Sequence, residues 1–112
     1  MMSLRLDDVV NAVKEGLRKA GAERVAVSRG GGCVIVEAPI GGDVIVASVT
    51  QGSVNGYYVV KLVPASKAAE TGLTCIGLEY TPYGLFIVSN DLNEITEKVA
   101  VKTIKLLKWV ST

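Results

Sequence analysis

Apolar residues recur along this chain with two different periods. Between Cys33 and Val63 the stretches CVIVEA, VIVASVTQGSV and YYVVKLV are rich in valine, and PIGGD and NG separate them. Short β-branched runs punctuated by glycine predict a β-meander. Outside this centre the period changes to that of a helix. Leu6, Val9, Val10, Val13, Leu17 and Ala20 form one apolar stripe, so a helix is expected over Asp7–Ala20, stopped by Gly21. Asp7 is the expected cap of its first turn. Near the end, Ile95, Val99, Thr103, Leu106 and Val110 make a second stripe, predicting a helix over Leu92–Val110. Asp91 followed by Glu94 resembles the start of a capping box.

Strands are expected at Glu23–Ser28, Cys33–Ala38, Asp43–Thr50, Tyr57–Val63, Leu73–Tyr80 and Leu85–Ser89. Asn55-Gly56 predicts a type I′ hairpin, because both residues accept positive φ. Residues 65–71 carry helix formers and suit one or two helical turns. Connections this short exclude parallel crossovers, so the sheet should be mainly antiparallel. The expected fold is α+β: a two-layer sandwich with a six-stranded antiparallel meander sheet and both long helices on one face. The whole chain forms one domain.

Alternation assigns Val34, Val36, Tyr58, Val60, Leu62, Ile76, Leu78, Phe86 and Val88 to the helix-covered face. The other face would carry Cys33, Ile35, Glu37, Tyr57, Val59, Lys61, Val63, Cys75, Gly77, Glu79 and Ile87. Much of this second set is apolar, and large exposed apolar surfaces mark interfaces. A homo-oligomer, most simply a homodimer, is therefore expected, with Ile35, Glu37, Tyr57, Val59, Lys61, Glu79 and Ile87 as interface residues. The competing expectation is that the 65–71 segment folds over this face. If sequential strands pair, the loops holding Arg29, Gln51, Asn55 and Tyr83 gather at one end of the sheet as a binding surface.

Composition narrows the chemistry. Hydrophobic residues make up 49% and charged residues 21% of the 112 positions, which excludes a disordered chain. A net charge of +1 gives no global pull toward nucleic acid or anionic lipid. No apolar run nears the roughly 20 residues of a membrane span, and the acids Asp7 and Asp8 interrupt any secretion signal. A cytoplasmic location and no membrane partner are the expectation. The single glutamine and abundant valine suit a thermophilic source. Cys33 and Cys75 lack CxxC spacing and so do not suggest a metal site. In ordinary cytosol they would be reduced core thiols; in a thermophile they could pair.

There is no histidine, which removes the commonest general base and metal ligand. No cofactor, metal or catalytic residue is expected. Glu37, Lys61 and Glu79 could line a small-ligand or acid–base site, but no nucleophile accompanies them. Arg29 and its three following glycines lead into a strand rather than a helix, so they suit a turn better than a phosphate cradle. Lys98, Lys102, Lys105 and Lys108 could meet nucleic acid, yet no aromatic platform is interleaved and a solvated face explains them better. The arrangement is loosely similar, in topology alone, to small dimeric chaperone-like and assembly-factor domains, and topology does not fix function. The expected role is an interaction or assembly module, ahead of nucleic-acid binding and of ligand binding or catalysis.

Overall fold

The computed structural model describes residues 4–110; Met1–Ser3, which opened the stretch read for a secretion signal, lie outside the described residues. In chain order the elements are α1 (Leu6–Lys19), β1 (Ala26–Arg29), β2 (Val34–Ile40), β3 (Asp43–Gln51), β4 (Tyr58–Pro64), α2 (Ala65–Ala68), α3 (Cys75–Tyr80), β5 (Leu85–Ser89) and α4 (Leu92–Val110). The fold is α+β, with one antiparallel five-stranded sheet in the order β1-β2-β3-β4-β5 and helices flanking it.

Helix ends follow their local chemistry. After α1, the Ala22 amide donates to Leu17 O and the Gly21 amide to Arg18 O, both at 3.0 Å. With Gly21 at φ 117°, this is a Schellman closure. Asp91 Oδ1 accepts from the Glu94 amide at 3.0 Å and caps α4. Asp7 does not cap α1: the N-cap is Arg5, and the Asp7 carboxylate pairs with Arg29 at 3.0 Å.

The tight hairpin also differs from expectation. Asn55 does not take a positive φ, so Asn55-Gly56 is not a type I′ turn. Its loop is wider and closes through the Gly52 amide on Tyr57 O at 2.8 Å. The two-residue turn with both central φ values positive is Gly41-Gly42, at 58° and 87°, between the paired residues Ile40 and Asp43.

The main core lies between α1, α4 and one face of the sheet, where Val36, Ala47, Val60, Leu62 and Ile87 meet Val9, Val13, Leu17, Ile95, Val99 and Leu106. The two helices approach closely at Gly16. A Cβ there would stand 2.6 Å from Thr96 O and 2.7 Å from Val99 Cβ, and the Thr96 hydroxyl donates to Ala12 O at 3.0 Å.

Three further expectations are corrected. First, Leu73–Tyr80 is not a strand, so the sheet has five strands rather than six. Its weak alternation yields to a cap: the Thr74 hydroxyl accepts from the Gly77 amide at 3.0 Å and opens α3. Second, the sheet is not covered on one face only, and the competing expectation, that the 65–71 segment folds over the other face, holds for α2. Ala68 of α2 and Leu78 of α3 pack with Cys33, Ile35, Val46 and Val63 in a second, smaller cluster on the opposite face. Third, β5 is offset by one from the expected alternation. Ile87 pairs with Val60 and enters the main core, while Phe86 and Val88 turn to the second face.

Losing one strand also reverses the direction of β5. Leu85 pairs with Leu62 and Ser89 with Tyr58, so the 81–84 turn lies at the sheet end of Gly41-Gly42. The loops of Arg29, Gln51 and Asn55 lie at the other end, and Tyr83 is separated from them.

Candidate functional site on the second sheet face

The second face is half covered. Its covered half is sealed by a covalent bond, a buried cation and a threonine cluster. Cys33, just ahead of β2, and Cys75, first residue of α3, form a disulfide with 5.8 Å between their Cα atoms. Lys61, in the middle of β4, is only 4% exposed. Its ammonium donates to Glu79 O at 3.0 Å and Thr81 O at 2.7 Å, and lies 5.0 Å from the Phe86 ring centroid. The carbonyls at the end of α3 are the negative end of that helix, and a cation there satisfies them. Burial lowers the Lys61 pKa from its ordinary value of 10.5, and the Glu79 carboxylate opposes that shift.

The Thr81 hydroxyl donates to Gly77 O at 2.7 Å and also meets the Thr71 hydroxyl, joining the two ends of the segment. Gly77 is required by closeness: a Cβ there would collide with the carbonyl oxygens of Thr71 and Gly72.

Between α3 and the uncovered half runs an open groove of about 440 Å³, lined by Ser48, Thr50, Val59, Lys61, Ile76, Glu79 and Phe86, with the disulfide at one wall. Its rim is apolar. Ile76 is 70% exposed and Phe86 54%, and Val88, which pairs with the groove-lining Val59, is 57% exposed. Lys61 is engaged by two carbonyls and an aromatic ring, so it clamps the end of α3 to β4.

The expected interface residues therefore separate. Val59, Lys61 and Glu79 reach this groove. Ile35 is buried beneath α2 and α3, and Ile87 in the main core. Glu37 is half-buried on β2, paired in register with Ala26 and Val46. Tyr57 is exposed ahead of β4. Glu37, Lys61 and Glu79 do not form a paired-carboxylate site: Glu79 lies on α3 and offers Lys61 its backbone carbonyl.

At the ends of the sheet, Arg29 and Gln51 share one shallow depression, and Gln51 and Asn55 another. Tyr83, at the opposite end, sits under the Lys67 ammonium at 5.0 Å, beside Trp109. In the lysine row, Lys98 pairs with Glu94 at 3.8 Å, and Lys108 lies beside the Gly41-Gly42 turn.

Sequence reasoning placed Phe86, Val88 and Ile76 in the core. The signal that could have exposed the error is Thr74, a good N-cap three residues ahead of Gly77. Among the described residues no group of acids or cysteines could hold a metal ion, and no helix is long and apolar enough to cross a membrane. Comparison with known protein families, curated proteins and solved structures finds no match for this chain.

Proposed function

We propose that this protein is a protein-interaction module that works through the uncovered half of its second sheet face and the adjoining edge strand β5. One observation carries the reading: Ile76 and Phe86 line one groove, Val88 pairs with the groove-lining Val59, and all three are more than half exposed. Scattered apolar residues need no explanation, but a grouped set beside a groove costs solvation free energy unless a partner covers it. The groove supplies shape, and the clamped α3 supplies a rigid wall. A second copy stacked face to face over Phe86 and Val88 is the simplest partner, which makes the module a homodimer. Intracellular disulfides persist in heat-adapted cells, so the proposed cytoplasmic setting is compatible with the Cys33–Cys75 bond there.

The test is solution mass by size-exclusion chromatography with light scattering, at micromolar protein and at low and high salt. The wild type should elute as a dimer in both salts, because apolar contact is not screened. Phe86→Asp combined with Val88→Asp should be a monomer with an unchanged circular dichroism spectrum, since both side chains already face solvent. A wild-type monomer at every concentration up to the millimolar range would remove the dimer.

A further inference from the structure

We propose that β5 receives an extended segment of another protein as a sixth strand, and that this segment alternates acidic and apolar residues. The proposal rests on the interaction reading above and names the chemistry of the partner. Among the described residues β5 is the edge of the sheet and pairs only with β4, so its outward backbone donors and acceptors have no strand partner there. Proteins usually blunt such edges with charge, proline or very short strands. The far edge, β1, follows that practice: it has four residues and ends in Arg29. β5, with sequence LFIVS, carries no charge and no proline.

The two sides of this edge differ chemically. Phe86 and Val88 flank it on the second face, more than half exposed. α4 flanks it on the helix side. The α4 flank that meets α1 is fixed by the Thr96–Ala12 hydrogen bond and the Lys19–Glu97 ion pair at 2.6 Å. With a turn of 3.6 residues, Lys98, Lys102 and Lys105 then fall on the opposite flank, above β5. Among the described residues Lys102 and Lys105 have no ion-pair partner. An added strand points alternate side chains to opposite faces. One set would meet Lys102 and Lys105, which favours Asp or Glu. The other would lie beside Phe86 and Val88, which favours Val, Ile or Phe.

A second copy does not suit this edge. Edge-to-edge pairing of two β5 strands keeps like faces together only in registers that set Ile87 opposite itself or shift by two residues. Each such register brings the lysine flanks of two α4 helices side by side, and like charges across an interface are unfavourable. Face-to-face stacking leaves the edge backbone free.

The test is fluorescence anisotropy with a labelled seven-residue peptide of alternating Val and Glu. The controls are its Val–Lys counterpart and two N-methylated forms, methylated at odd or at even residues. The Val–Glu peptide should bind the wild type; Lys102→Glu with Lys105→Glu should weaken it by roughly tenfold, and the Val–Lys peptide should lose binding. One N-methylated form should bind and the other should not, because only one edge of the peptide pairs with β5. Equal binding of both N-methylated forms, or of the Val–Glu and Val–Lys peptides, would overturn the proposal. If no peptide binds while the Phe86 and Val88 variant still turns a dimer into a monomer, the strand partner is wrong and the interaction reading stands.

Discussion

At the scale of single residues, Lys61 shows how one side chain can do two opposed things. Its ammonium satisfies two carbonyls at the end of α3, at 3.0 and 2.7 Å. It also loses water, which lowers its pKa from 10.5. Lys61→Met keeps the bulk but bares both carbonyls, and should cost about 2 kcal/mol in urea unfolding at neutral pH, the usual scale for losing hydrogen bonds to a charged group. The pH dependence has a definite sign. Between the lowered value and 10.5 the unfolded chain binds more protons than the native one at this site. Stability contributed by Lys61 therefore rises as pH climbs through that window. The difference between wild type and Lys61→Met should widen toward pH 10.5, and a difference that narrows there would contradict the assignment. Gly16 works through its missing side chain. Gly16→Ala would gain about 1 kcal/mol of helix propensity, but its Cβ would stand 2.6 Å from Thr96 O. Separating α1 from α4 to fit it should cost more than the gain, for a net loss of about 1–2 kcal/mol by thermal unfolding.

At the scale of elements, what was legible follows from how strongly each pattern is repeated. α1 and α4 carry stripes over 14 and 19 residues, and their positions were readable because many positions agree. The β2–β3–β4 meander was readable for the same reason, although its tight turn was assigned to the wrong glycine. α3 has six residues and buries only Gly77 and Leu78. So short a segment has too few positions to distinguish period 2 from period 3.6. Its helix is set by contacts distant in sequence: the bond to Cys33, the clamp from Lys61 and the Thr71–Thr81 contact. Misreading it flipped the direction of β5 and moved Tyr83 to the wrong end. It also turned Phe86 and Val88 inward. The candidate site was hidden by one short helix; Val59 and Lys61 reach the groove from β4, and Glu79 reaches it from α3 rather than from the expected strand.

At the scale of the molecule, the sheet separates two cores of unequal strength. The main core joins α1 and α4 to β2, β3, β4 and β5 through more than a dozen fully enclosed side chains, whereas the second contains six buried residues. The disulfide closes a loop with a sequence separation of 42. Restricting the unfolded chain over such a loop is worth about 4 kcal/mol in the chain-entropy account. The same bond ties α3 to the start of β2, so its removal also loosens the second layer directly. Cys33→Ser with Cys75→Ser should lower the stability of the whole chain by about 2–4 kcal/mol. Native-state hydrogen exchange should then divide the molecule. Amides of α2, α3 and the 69–84 connections should exchange through a local opening, while β2, β3, β4 and the buried face of α4 keep protection close to the new global limit. The physical reason is that opening the second layer exposes only a small apolar cluster and frees the Lys61 ammonium, which regains water. Opening the main core exposes the larger set at once. Uniform exchange across both layers would show instead that the sheet couples them into one cooperative unit. In that case the rigid wall beside Phe86 is maintained by the whole fold rather than by the bond from Cys33 to Cys75.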